Sequence, residues 1–437
     1  MRAHLSNSMY GMLDYIAQPA AMLLAAPMLL HHLGVARYGV WLIASAAVGA
    51  GTVVSSGFGD AVIQRVATLR ATDDLAGIRR VVANMLALNL ALGGALALTL
   101  WAVVPFAAVR ITHVEPRLYH DCVWALRIGA ALIVVKAVES VFISSQRAFE
   151  RYAPAVKIGI AMRLIAVGLA ASLGAEGYGV AVLMIGTLVL TCLGVAAQAC
   201  ALRRHLGPGL TWPAFDRTVS RQLTSFGGFS WLQAVSGVIF SQADRLLLGT
   251  TLGASAVAYY GICVQVAQPI HGLTSAGLHF LFPHLASRSA LETHTELGRP
   301  IAKAFLLNLA GAGVLLALVL AVGPWAIKSW IGPVFVTDSA TLLPEIALSF
   351  GLLALNITAH YTLMAFGRVR IVTAANMVGG GLMLVAMTLL IPHRGVQGAA
   401  LARLWYGPVT CLMYLPLLYL LRRPAARTLV VMGGEST

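Results

Sequence analysis

The chain has 437 residues, 59% hydrophobic and only 11% charged, with a mean hydropathy of +0.83. A soluble domain carries about 25% charged residues, so this chain cannot cover a water-facing surface and reads as an all-α membrane protein. A formal charge of +14 would suggest nucleic acid for a soluble protein. In a membrane protein it first asks which side the charges occupy, and no nucleic-acid partner is expected.

Lipid offers no partners for backbone N–H and C=O groups, so each apolar run of about twenty residues has to be a helix. In chain order the runs are 10–33, 38–58, 81–108, 122–143, 155–173, 178–202, 226–249, 256–282, 304–327, 342–366, 371–391 and 397–421, about twelve spans. The first begins close to the N-terminus with no small-residue cleavage site, and reads as a retained helix rather than a signal peptide. It carries Asp14, Gln18, Pro19 and Pro27. Proline inside a span frees backbone groups for bending. Asp14, near the inner end, reads either as a wet interfacial carboxylate or as an ion-coupling group. The eighth run carries a comparable polar, kinkable patch in Gln265, Gln268, Pro269 and His271.

Lys and Arg settle on the cytoplasmic side of a membrane protein. With a cytoplasmic N-terminus, twenty of the thirty fall on cytoplasmic connections and tails, and five (Arg37, Arg110, Arg117, Lys328, Arg394) on the outer ones. Both termini are therefore expected in the cytoplasm, and much of the +14 is a topology signal.

The longest polar stretch near the middle, 203–221, contains Gly207-Pro208-Gly209 and Trp212-Pro213. It divides the chain into an expected six-helix bundle over 1–204, a cytoplasmic linker over 205–221, a second six-helix bundle over 222–424 and a tail over 425–437. The halves rhyme. Ala148-Phe149-Glu150-Arg151 opens a helix pair that closes at Leu202-Arg203-Arg204, and Ala365-Phe366-Gly367-Arg368 opens another that closes at Leu421-Arg422-Arg423. These stretches run 56 and 58 residues, each with a glycine-bearing turn at 174–179 or 395–398. Two parallel repeats of this kind are one geometry used by secondary transporters, with the path between them.

Several chemistries are missing. There is no GxxxxGK[ST] loop, HExxH or GxSxG, and the outer connections are too short for a catalytic domain; Glu115, Arg117 and Asp121 in one short loop are too little for one. The five cysteines form no CxxC pair and read as buried small hydrophobes. No cofactor or metal is expected. A transporter fits better than an enzyme.

Ionisable groups inside spans carry the functional signal, because each is costly in hydrocarbon unless paired or facing a watery cavity. The basic set is Arg127, Lys136, Arg163, Arg245 and Arg403; the acidic set is Asp14, Glu139 and Asp244. Lys136 and Glu139 are i, i+3 neighbours and form an expected ion pair. Arg127 falls on the opposite face of its helix from Lys136. Asp244 and Arg245, near the outer end, read as snorkelling groups, inter-helix anchors or substrate contacts. Arg163 and Arg403 have no partner on their own helices. A cavity lined by these cations would favour an anionic ligand, and guanidinium forks match phosphate or pyrophosphate. Asn89, Asn308, Asn356 and His360 read as inter-helix hydrogen-bond partners.

Leu33-Gly34-Val35-Ala36-Arg37-Tyr38-Gly39-Val40-Trp41, Gly57-Phe58-Gly59-Asp60-Ala61 through Arg65, Gln242-Ala243-Asp244-Arg245-Leu246-Leu247-Leu248-Gly249, Leu252-Gly253, Tyr259-Tyr260 and Gly395-Val396-Gln397-Gly398-Ala399-Ala400 carry a resemblance in their order and spacing. The chain resembles the polysaccharide-transport branch of the multidrug/oligosaccharidyl-lipid/polysaccharide exporter superfamily. That resemblance covers nearly the whole chain. It implies two six-helix bundles, alternating access, and a bacterial inner-membrane flippase for undecaprenyl-pyrophosphate-linked oligosaccharide in surface polysaccharide (O-antigen, capsule or exopolysaccharide) biosynthesis. It further implies cavity cations at Arg127, Arg163, Arg245 and Arg403. Lys136 and Gln268 join them as expected substrate contacts, and Asp14 as the ion-coupling group. A polysaccharide polymerase and a chain-length regulator are the expected protein partners, beside membrane lipid. A cation-coupled multidrug antiporter of the same fold is the alternative, ahead of a membrane enzyme using lipid-linked sugars.

Overall fold

The computed structural model describes residue 21 and residues 24–56, 59–149, 152–206, 212–279, 281–289, 296–332 and 334–422; Asp14, Gln18 and Pro19 lie outside them. Among the described residues every regular element is helical. The first set is α1 (Leu24–Leu33), α2 (Val35–Ser56), α3 (Gly59–Ala71), α4 (Leu75–Ile111), α5 (Tyr119–Ala148), α6 (Tyr152–Ala175) and α7 (Val180–Leu206). The second is α8 (Arg217–Leu252), α9 (Ala254–Leu278), α10 (Leu281–Ser289), α11 (Gly298–Ala326), α12 (Val334–Leu355), α13 (Ile357–Ala365), α14 (Val369–Arg403), α15 (Tyr406–Cys411) and α16 (Tyr414–Arg422).

Six described helical stretches are long and apolar enough to cross a membrane: Leu75–Ile111, Ala153–Ala175, Val180–Arg204, Gly298–Ile331, Thr341–Ala365 and Val369–Arg422. The last is 54 residues long and reverses at Gly395, whose φ of +56° and ψ of −138° break the helix. At about 1.5 Å per residue, each half of that stretch matches one bilayer crossing. The chain is therefore a multi-pass membrane protein.

Helix ends differ from the sequence expectation where polar caps extend them. Asp216 accepts the Thr218 and Val219 amides at 2.8 and 3.3 Å, so α8 begins at Arg217, inside the stretch read as linker. Asp74 accepts the Gly77 amide at 2.7 Å and starts α4 ahead of its apolar run. The run 342–366 is interrupted at Asn356, and α10 is a short additional helix. Two cysteines also depart from expectation. Cys122 and Cys263 are buried, but Cys192 and Cys200 lie on an exposed face of α7, where lipid accepts a small apolar thiol as readily as a core does.

Most helices before residue 207 pack on one another, as do most of those after 217; α2 and α8 bridge the two sets, α2 against α8 and α9, and α8 also against α3 and α4. The main core crosses that boundary: Tyr38, Leu42, Ile43 and Val48 of α2 are buried with Leu248, Val257, Tyr260 and Ile262. At the opposite helix ends the cores are separate. One joins Val62, Ile78, Val82, Phe142 and Leu202 of the first set; the other joins Leu285, Ile301, Leu363, Val372 and Leu417 of the second. The sets thus share their main core at one end, while toward the other α8 crosses onto α3 and α4, with Val219 and Trp231 packed against the first-set cluster. There Asn84 Nδ2 donates to the Asp216 carbonyl at 2.8 Å, and Ser220 Oγ donates to Asn84 Oδ1 at 2.9 Å.

One polar contact repeats between the sets. Asn89 Nδ2 on α4 donates to the Ala137 carbonyl and to Ser140 Oγ, both at 3.1 Å. Asn308 Nδ2 on α11 donates to the Ala354 carbonyl at 3.0 Å and to Thr358 Oγ1 at 3.1 Å. Both asparagines stand in a Leu-Asn-Leu-Ala run, 88–91 and 307–310. This signal is visible in the sequence once the contact is known.

Candidate functional site

The boundary near the shared core is held by close approaches that need glycine. Gly253, at φ +87°, turns α8 directly into α9 without a loop, a conformation other residues adopt at a cost. A Cβ at Gly39 would collide with the Ala254 carbonyl, and one at Gly261 with Leu42. These contacts bring α2, α8 and α9 together, and polar side chains close the seam. Gln265 Nε2 donates to Tyr38 Oη at 3.1 Å, both groups buried. Beyond it, Ser255 Oγ donates to Glu115 Oε1 at 3.1 Å.

Behind the seam lies a buried ionic network. Arg403 Nη1 donates to Asp244 Oδ2 at 2.6 Å and to Tyr260 Oη at 3.3 Å, while Tyr260 Oη donates to the same carboxylate oxygen at 2.8 Å. The guanidinium stands 4.4 Å from the Phe350 ring centroid. Asp244 is fully enclosed. A carboxylate there is tolerable only because a cation and a phenol satisfy it. His271 lies within electrostatic reach of His360 and Arg403, and Ser275 and Tyr361 share a 2.9 Å hydrogen bond between α9 and α13.

Arg245 is one residue along from Asp244, within electrostatic reach of Tyr38. Its Nε is buried with no hydrogen-bond partner, as is Gln242 Oε1 one turn earlier, beside Gly49 of α2. The seam therefore contains an unsatisfied donor and an unsatisfied acceptor next to the Asp244–Arg403 ion pair.

The remaining sequence-derived residues are not gathered there. Lys136 Nζ pairs with Glu139 Oε2 at 3.4 Å, as the i, i+3 spacing implies, and Glu139 faces Gly194 of α7. Arg127 lies between Trp101 and Trp124 on α4 and α5. Arg163 is half-buried on α6, and Gln268 is half-buried one turn beyond Gln265. Arg403, expected as a free cation, is committed to Asp244, a partner 159 positions away that no local pattern could reveal. Asp121 caps α7 by accepting the Val180 and Ala181 amides at 2.9 and 2.8 Å, a scaffold role. Sequence reasoning passed over Glu345, which accepts from Gln397 Nε2 at 3.0 Å and keeps Oε2 buried without a partner. It also passed over Tyr38 as the other side of Gln265. No group of three or more His, Cys, Asp and Glu that could hold a metal occurs among the described residues.

Solved structures share this arrangement of helices. The chain is similar to an inward-facing multidrug resistance MATE family transporter of the MOP superfamily (TM-score 0.63, 14% identity, 94% of each chain covered). It is similar also to an outward-facing form described in the same words (TM-score 0.63, 14% identity, 96% of each chain), and to the eukaryotic MATE transporter AtDTX14 (TM-score 0.65, 15% identity, 95% of each chain). At these identities the likeness is one of fold. No curated protein matches the chain by sequence. The profile of the family described as polysaccharide biosynthesis protein matches residues 32–297, well over half of the chain. The chain belongs to that polysaccharide biosynthesis family, in the fold of MOP-superfamily exporters, as the motif order had implied.

Proposed function

We propose that this protein is a flippase of the bacterial inner membrane that moves an undecaprenyl-pyrophosphate-linked oligosaccharide from the cytoplasmic to the periplasmic leaflet for surface polysaccharide biosynthesis. On this reading about twelve spans form two six-helix bundles, 1–204 and 222–424, with both termini in the cytoplasm. The polymerase and chain-length regulator that use such a product are its proposed partners.

The observation that carries the reading is the charge left over at the seam. Glu139 and Asp244 are each bound to a basic group, whereas Arg245 retains an unpartnered donor. An anionic head group finds a donor there; the free carboxylate oxygen that an antiporter would load is, among the described residues, Glu345 Oε2. Membership of a polysaccharide biosynthesis family favours the anionic ligand. The shared core and the Tyr38–Gln265 bond seal the ends of α2, α8 and α9 nearest the Gly253 turn. Rocking of one bundle against the other has to part them, with Arg245 uncovered as they separate. The polyprenyl tail stays in lipid.

The test is to delete the gene and identify lipid-linked oligosaccharides by mass spectrometry, with complementation by wild type, Arg245→Gln and Arg163→Ala. A complete lipid-linked repeat unit accumulating on the cytoplasmic leaflet, relieved by wild type and not by Arg245→Gln, is the expected result. Unchanged surface glycan together with new sensitivity to organic cations would replace the flippase with the antiporter.

A further inference from the structure

The Arg127 guanidinium lies in the crease between α4 and α5, its Cζ 4.9 Å from the Trp101 ring centroid and 5.6 Å from that of Trp124. Its Nε is buried without an acceptor, and no ion pair or hydrogen bond to Arg127 occurs among the described residues. The rings are 47% and 49% exposed, and Leu98 and Phe106 on the same helix are 73% and 76% exposed. That is the face expected of a helix pair against lipid.

Depth follows from helix length. α5 has 30 residues, about 45 Å at 1.5 Å per residue, against a hydrocarbon core of about 30 Å. Centred in the bilayer, it places the Arg127 Cα about 5 Å inside the hydrocarbon boundary, within snorkelling reach of the head groups. Tryptophans collect at that level. Nearby, Arg110 is exposed in the last turn of α4, and Arg117 of the connection stands 3.7 Å from Glu115.

We propose that Arg127, Trp101 and Trp124 form a binding site for the phosphate of a bilayer glycerophospholipid, in the leaflet next to the Pro116–Leu118 turn. The ring faces hold the cation by its quadrupole attraction, leaving the guanidinium N–H edges to be satisfied. At that depth and on that face the abundant acceptors are lipid phosphate oxygens, which a guanidinium fork fits. The site is separate from the seam and does not depend on the transport reading.

The experiment uses the full chain in nanodiscs containing photoreactive phosphatidylglycerol or a photoreactive glycosyl diacylglycerol without phosphate, with adducts mapped by mass spectrometry. Labelling of 98–106 and 120–131 is expected to be at least about fivefold stronger with the phosphate lipid, as a charge-assisted bond implies. Arg127→Gln is expected to fall to the phosphate-free level, and Arg127→Lys to keep a substantial part. Equal labelling of wild type by both lipids, a comparison that needs no variant, overturns the proposal, as does unchanged labelling of Arg127→Gln. Undecaprenyl pyrophosphate added at one tenth of the phospholipid is expected to leave the label in place. Displacement by it would move the site from bulk lipid to a polyprenyl pyrophosphate and overturn the assignment.

Discussion

In the first helix set Asn89 of α4 ties itself to Ala137 and Ser140; in the second, Asn308 of α11 ties itself to Ala354 and Thr358. The two contacts are the same device, and both leave the asparagine Oδ1 buried without a partner. The charges around them do not repeat. Asp244 and Arg403 form a buried pair in the second set, while the offset of 219 that relates Asn308 to Asn89 puts Ala25 and Met184 at the corresponding positions. Arg127, in the first set, corresponds in the same way to Ile346. Neutral hydrogen bonds hold each helix pair in shape and can be copied. Ionic groups are costly in a membrane and survive where a particular partner or task exists, so the difference separates scaffold from function.

The largest expected effect breaks the comparison on its asymmetric side. Asp244→Asn leaves Arg403 enclosed without a counter-charge and should cost about 3–5 kcal/mol of stability. Paired replacement by Asp244→Leu and Arg403→Met should lose much less. Thermal unfolding of the purified protein in detergent decides it; equal losses for single and double variants would mean that the pair is not what the surroundings are built on. Gly39→Ala comes next. Its methyl meets the Ala254 backbone, and overpacking of this kind costs about 1–3 kcal/mol. Cross-linking yield between cysteines placed on α2 and α9 should drop with it, and a normal yield would argue against the seam as drawn.

The symmetric side predicts smaller and matched effects. Asn89→Leu and Asn308→Leu should each cost about 0.5–2 kcal/mol, the range of hydrogen bonds between membrane helices. Similar unfolding midpoints for the two variants sharpen the comparison; a large disparity removes it. The smallest effect is at the start of α8. The Thr218 hydroxyl, then the Thr218 and Val219 amides, hold the Asp216 carboxyl below the usual carboxylate range. A lowered value in the folded protein means that this cap is fully present above the unfolded value of about 3.9. It is lost as pH falls through the folded value. Amide protection at 217–221 should therefore be flat from pH 8 to pH 5 and decline only below about pH 4. A decline near neutrality would point to another group.

Much of the fold could be read from the chain, and particular residues show where reading stopped. Lys136 and Glu139 pair as their spacing implies because a helix places i and i+3 on one face. Asn89 and Asn308 act between helices because lipid leaves an amide few other partners. Asp216 and Asp74 lengthen α8 and α4 beyond their apolar runs, since a cap depends on backbone geometry that hydropathy does not register. Arg403 looked available because nothing on its own helix neutralised it. Tyr38 drew notice only as part of a motif, although it meets Gln265 across the boundary between the sets.

The sequence by itself determined that this is a helical, multi-pass membrane protein of a polysaccharide biosynthesis family. Water-free surroundings force each long apolar run into a helix whatever its neighbours do. Only the tertiary structure decided which cations are already neutralised, which glycines let α2 close against α9, and that Arg245 and Arg127 are left with donors to spare. Helical periodicity tells which residues share a face. Which helix that face meets depends on packing between segments more than a hundred positions apart.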